Sequence, residues 1–194
     1  MTVGDIRQFP EYTVHPDRVL YRIHKTIHDP PLYFSNSGEG RFDLTSEADA
    51  GTFYISLSPL GAFVEVFGRF QYVTQERIDE RSLSYLSLTR PLRLADVTRR
   101  EVLGGFGIAG DLSAGPDYKK PQGWAEKFYS AGFDGVFYVA RHDPSFRERS
   151  VALLGNVESG RKLFDIDTGP IPEELIEGAR YEFGFRVWPS APLL

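Results

Sequence analysis

TFYISLSPLGAFVEVFGRF, residues 52–70, moves from a strand pattern to a helix pattern and sets one carboxylate, Glu65, among apolar neighbours. Its first half alternates, so Phe53, Ile55 and Leu57 are expected to face the core while Thr52, Tyr54 and Ser56 share the opposite face. Ser58 followed by Pro59 is a helix start, with serine as N-cap and proline at the first helical position, which predicts a helix over 59–68 ended by Gly68. On that helix Glu65 neighbours Gly61, Ala62, Gly68 and Arg69, whereas Leu60, Phe63, Val64 and Phe67 can pack elsewhere. A carboxylate in such a setting loses hydration unless something pairs with it or the site uses it. Two readings stand: a surface ion pair with Arg69 at i, i+4, or a group facing a ligand in the room its small neighbours leave. Tyr54 and Ser56 would then point into the same cleft.

Outward from this stretch the pattern is of many short strands and few helices. Strands are predicted at 19–25, 52–57, 83–88, 92–97, 135–141 and 150–155. In the first, Val19, Tyr21 and Ile23 alternate with Leu20, Arg22 and His24. Arg22 stands mid-strand, where a guanidinium needs a partner. FSNSGEGRFD (34–43) reads as a loop whose backbone can approach a ligand closely at Gly40, and Arg41 behind it offers a fork-shaped donor to a phosphate or carboxylate. Either arginine could instead neutralise Glu65. Thr98 and Glu101 have capping-box spacing for a short helix, 122–132 reads as a helix closed by Gly132, 172–181 as a third helix, and the tail from Trp188 as irregular.

The 194 residues suit one domain with a core of its own, and 41% hydrophobic with 25% charged residues is ordinary globular composition. A net charge of −5 disfavours nucleic acid and anionic lipid as partners. No basic segment leads into an apolar run at the N-terminus and no stretch approaches membrane-spanning length, so the expectation is a soluble, cytoplasmic protein. The absence of cysteine removes thiolate metal sites and cysteine nucleophiles and fits a reducing compartment. GGFGIAG (104–110) contains a literal G-x-G-x-x-G at Gly105, Gly107 and Gly110, but a helix pattern precedes it and prolines follow, the reverse of a dinucleotide-binding turn. His24 and His28 are broken apart by a strand and Asp29-Pro30-Pro31, Asp165 and Asp167 read as an exposed strand end, and no metal site is expected. There is no G-x-S-x-G nucleophile elbow.

LYRI (20–23), GEGRF (38–42), GTFYISLSPLGAFVEV (51–66) and FDGVFYVAR (133–141), in that order, resemble the RES domain family over about residues 19–155. That leaves 156–194 as a C-terminal extension of a single RES-like domain. The resemblance implies an α+β fold like the ADP-ribosyltransferase toxins, with split, mixed, mainly antiparallel sheets and flanking short helices. It implies an enzyme that degrades NAD+, as the toxin of a bacterial toxin–antitoxin pair. Carried over by position, it makes Glu65, Arg22 and Tyr54 catalytic and Arg41, Ser56 and Gly40 substrate-binding, with NAD+ as substrate, no further cofactor, and an antitoxin of helix-turn-helix type as partner. The chain departs from the pattern at Ala140, where the family's serine is expected, with Ser150 downstream out of register, and at Glu39 before Gly40. The expected reaction is cleavage of the nicotinamide–ribose bond by water or phosphate; the alternatives are ADP-ribosyl transfer to a macromolecule and a catalytically degenerate binding module.

Overall fold

A computed structural model describes residues 4–70 and 72–189. Its strands are β1 (Glu11–Val14), β2 (Leu20–Lys25), β3 (Gly51–Ser56), β4 (Tyr72–Thr74), β5 (Arg81–Leu88), β6 (Leu92–Asp96), β7 (Gly135–Val139), β8 (Arg149–Gly155), β9 (Phe164–Pro170) and β10 (Arg186–Trp188). Its helices are α1 (Pro59–Phe67), α2 (Gln75–Asp79), α3 (Glu101–Phe106), α4 (Asp111–Ala114), α5 (Lys119–Ser130), α6 (Val157–Leu163) and α7 (Glu173–Phe183). Eight strands form one curled sheet in the order β1-β6-β7-β8-β3-β2-β5-β9, antiparallel except for the β6–β7 pair, and β4 and β10 form a separate parallel pair.

The alternation read from residues 52–57 is kept. Phe53, Ile55 and Leu57 enter a core that takes one side chain or more from every strand of the large sheet, among them Leu20, Leu86, Leu94, Phe137, Val151 and Phe164. All eight strands can share one core only because the sheet curls around it. Its outer face is covered in two patches. Phe128, Trp124 and Leu112 from the α3–α5 region pack over Val136 and Ala152. Phe63 and Phe67 of α1 pack with Leu175, Ile176 and Ala179 of α7 over Ile23 and Leu83.

Between these patches the sheet almost divides. β2 and β3 share the single register pair Tyr21↔Ser56, whereas β3 runs six pairs with β8 and β2 six with β5. The expected split into two sheets is therefore present as a seam rather than a break. A cleft lies over it.

Several elements differ from the sequence reading. Thr98 does not cap α3: its N–H and hydroxyl both bond Asp96 Oδ1, at 2.9 and 2.6 Å, and Arg100 at the N-cap position makes no side-chain cap bond. Trp188 ends a strand instead of opening an irregular tail; the rest of the expected tail, from 190, lies outside the described residues. The region beyond 156 is integral to the fold, since β9 pairs with β5 and α7 covers α1. In GGFGIAG, Gly104 and Gly105 belong to α3 and Gly107 ends it in a left-handed conformation (φ 68°), so no strand enters the motif. Among the described residues no helix is long and apolar enough to cross a membrane.

Candidate active site

The seam and the cleft above it bring the expected residues together. A cavity of about 310 Å³ is lined by Arg22 from β2, Tyr54 and Ser56 from β3, Glu65 from α1, and Gly40 and Arg41 from the loop before β3. The reason is the local fold. Ser58 caps α1 through a 2.8 Å bond from the Gly61 N–H, which turns the chain so that the outer face of β3 and the Glu65 face of α1 look at the same space.

Glu65 is the electrostatic centre. Among the described residues its buried Oε1 has no hydrogen-bond partner and the carboxylate forms no salt bridge, so the Arg69 surface pair is not made. Burial pushes its carboxyl up to about 7, moderated by the nearby Ser150 and Tyr138 hydroxyls and by the positive charges of Arg41 and Arg69. Neutralisation by Arg22 or Arg41, the other structural reading, also fails for want of an ion pair.

Arg22 lies in the seam. Its Nη1 donates to the Tyr54 carbonyl at 2.7 Å, a group the short β2–β3 ladder leaves open, and its guanidinium sits 4.5 Å from the Phe53 ring centroid. Its Nε is buried and without a partner among the described residues, and desolvation lowers the guanidinium to about 10. Arg41 donates to the Leu112 carbonyl at 3.3 Å and stacks on Tyr118 at 4.6 Å, with Nη2 buried and without a partner among the described residues; burial lowers its pKa too. Two guanidiniums with unsatisfied donors and one carboxylate with an unsatisfied acceptor surround one cavity without touching each other.

The Tyr54 hydroxyl is engaged within the protein. It donates to Asp43 Oδ1 at 2.8 Å and accepts from the Phe42 N–H at 3.0 Å, and burial beside Asp43 raises its pKa well above the usual value. Asp43, fully buried, was not evident in the sequence. Its Oδ2 takes the N–H groups of Gly38 and Gly40, at 3.1 and 2.9 Å, so the glycine-rich loop turns its donors inward and leaves none of these for a ligand. Gly40 supplies room: a Cβ there would collide with Asp43 and the Tyr54 hydroxyl.

Of Ala140 and Ser150, only Ser150 lines the cavity. Ala140 is fully buried and does not line the cavity, whereas Ser150 on β8 bonds Ser56 Oγ at 3.0 Å and stands near Glu65. Only the β3–β8 register, which sets Ser56 opposite Ser150, reveals it. Tyr138 reaches the cavity by the same route on β7, and Arg69, Arg141 and His142 add to its basic wall. Glu39 is exposed at the mouth, where its side chain is tolerated. His24 Nε2 meets Ser84 Oγ at 2.9 Å, and among the described residues no group of His, Cys, Asp or Glu is placed to hold a metal.

A family model described as the RES domain matches residues 19–172. The chain belongs to the RES domain family. A solved structure of similar fold is the crystal structure of the M. tuberculosis MbcT–MbcA toxin–antitoxin complex, matched with a TM-score of 0.64 over 90% of this chain and 93% of that one, at 16% identity. At that identity the likeness is one of fold. No curated protein matches the sequence. The RES match extends past the strands that suggested it and takes in β9, in keeping with that strand's place in the large sheet.

Proposed function

We propose that this RES protein cleaves the nicotinamide–ribose bond of NAD+ and serves as the toxin of a toxin–antitoxin pair in the cytoplasm. The observation that carries the reading is Glu65: a half-buried carboxylate, with Oε1 buried and without a hydrogen-bond partner among the described residues, in a cavity that otherwise offers arginines, hydroxyls and an aromatic face. When the C1′–N bond breaks, its electron pair goes to the pyridinium nitrogen, nicotinamide leaves neutral, and the ribose becomes oxocarbenium-like. A carboxylate already positioned at that carbon stabilises the new positive charge without reorganising. Arg22 and Arg41 suit the pyrophosphate, and the Tyr54 ring suits the nicotinamide or ribose face. Ser56 and Ser150, bonded to each other, hold hydroxyls beside Glu65 and the ribose. Water or inorganic phosphate then adds to C1′ and gives up a proton, yielding ADP-ribose or its phosphorylated form. No further cofactor is invoked.

The toxin role draws support from RES membership and from the fold neighbour's origin in a toxin–antitoxin complex, and the partner would be an antitoxin of helix-turn-helix type by family resemblance. The test is nicotinamide release from NAD+ by the purified protein. Glu65→Gln should lower it by about 10²–10³, the cost of removing one preorganised electrostatic group, without loss of fold. Undiminished release by that variant would overturn the assignment, and ADP-ribose recovered on protein or nucleic acid would replace cleavage by transfer.

A further inference from the structure

A second, larger groove of about 800 Å³ adjoins the cavity, and Arg141 lines both. Its walls come from the end of β6, from α3 and α4, and from the β7–β8 loop, and include Val97, Val102, Leu103, Val139 and Phe146. Leu103 and Phe146 are left 61% and 53% exposed on it.

Phe146 is held there against its own preference. It is the one non-glycine residue with positive φ (54°) among the described residues. A left-handed backbone is unfavourable for a bulky side chain and persists only where surrounding bonds over-determine it. Here they do: buried Asp143 accepts from the N–H groups of Ser145, Arg147 and Glu148 at 2.6–2.8 Å and from the Ser145 hydroxyl at 2.6 Å, which frames the turn. The Phe146 N–H bonds the Asp143 carbonyl at 3.1 Å, and its own carbonyl takes Arg149 Nη1 at 2.6 Å. The loop thus fixes a strained residue so that an apolar ring faces an open groove. Packing gains nothing from that arrangement, and a flat ligand does.

Resting on the NAD+ reading above, we infer that this groove is the adenosine subsite, with Phe146 as the stacking platform for the purine and Arg141 beneath the pyrophosphate at the junction. The first cavity lies at the lower end of the ~300–1,000 Å³ typical of ligand pockets, which suits one nucleoside half and leaves the other to be housed. Arg141 is already oriented, since its Nη1 donates to the Tyr118 hydroxyl at 3.0 Å, and Tyr118 in turn carries Arg41 on its ring. A dinucleotide running from Glu65 to Phe146 would pass these guanidiniums at its middle.

AMP, which lacks the nicotinamide half, isolates the subsite in a calorimetric titration of the full chain. Wild type should bind it, Phe146→Gly should weaken it about tenfold, as expected for loss of a base–aromatic stack, and Phe146→Tyr should retain it. Glycine accepts the left-handed backbone without strain, so the variant should melt no lower than wild type. Leu103→Glu, at an exposed position where α3 lines the groove, gives a second reading in the same direction. In turnover, selectivity for NAD+ over nicotinamide mononucleotide, which has no purine, should fall in Phe146→Gly. No AMP binding by wild type, or equal binding by Phe146→Gly, overturns the subsite. AMP binding that depends on Phe146, with neither substrate cleaved, would keep the subsite and sink the cleavage reading instead.

Discussion

Glu65 is the residue at which stability and the proposed activity pull apart. In the unfolded chain its carboxyl titrates near 4.5 and in the folded protein near 7. Below the lower value both states are protonated and nothing is lost. Between the two the unfolded chain releases the proton while the folded protein keeps it, so the unfolded state binds fewer protons and stability declines as pH rises. Above about 7 both are ionised and the penalty levels off at about 3 kcal/mol. Ligand-free Glu65→Gln should therefore be more stable than wild type at pH 8 by up to that amount and indistinguishable near pH 4, measured by denaturant unfolding at both values. The proposed catalysis runs the other way. If the carboxylate is the active form, kcat/KM for NAD+ should rise with pH through about 7 and then flatten, and a profile flat from pH 5 to 9 would deny Glu65 that role. An acid among small and apolar neighbours is visible in the sequence. Its isolation from every arginine is not, because that depends on where Arg22 and Arg41 are tethered: to the Tyr54 carbonyl, and to Leu112 with Tyr118.

At the scale of elements, the loop before β3 matters as much as the helix after it. Asp43 gathers Gly38, Gly40 and Tyr54, and Gln122 on α5 donates to the carbonyls of Gly38 and Gly40 at 2.9 and 3.0 Å from the other side. A methyl at residue 40 would intrude on both Asp43 and the Tyr54 hydroxyl. Gly40→Ala should thus cost about 1–3 kcal/mol, the penalty of unmaking buried hydrogen bonds, and abolish nicotinamide release along with the loop geometry, read by thermal melting and product assay together. The β3–α1 unit was legible because a period of two changes to a helix start at Ser58-Pro59. Asp43 was not, since nothing local marks an aspartate as the acceptor for donors on both sides of it. Ser150 was hidden for another reason: its place at the site depends on a pairing across 94 residues. β4 and β10, three residues each, exist through each other and carry no alternation long enough to read.

The whole molecule extends the site's dependence to its C-terminus. α7 lies beyond residue 172, where the family match ends, yet it shares a core with Phe63 and Phe67 of the helix that carries Glu65. Burial of Leu175, Ile176 and Phe185 together is worth about 5–9 kcal/mol, comparable with the ~5–15 kcal/mol net stability of a typical domain. A chain ending at residue 163, without β9 or α7, should give no soluble protein with a cooperative thermal transition, as followed by circular dichroism. The near-division of the sheet has a further consequence, one of timing. Glu65 sits on one side of the seam with β3, but β3 is held chiefly by β8, which supplies Ser150, and β2 by β5. A growing chain exposes Arg22, Tyr54 and Glu65 early and cannot close the cleft around them until residues up to about 155 have emerged. Domains fold as units during synthesis, so for most of translation this chain carries its acid and its arginines without a site. Chemistry on NAD+ would begin only with a nearly complete molecule.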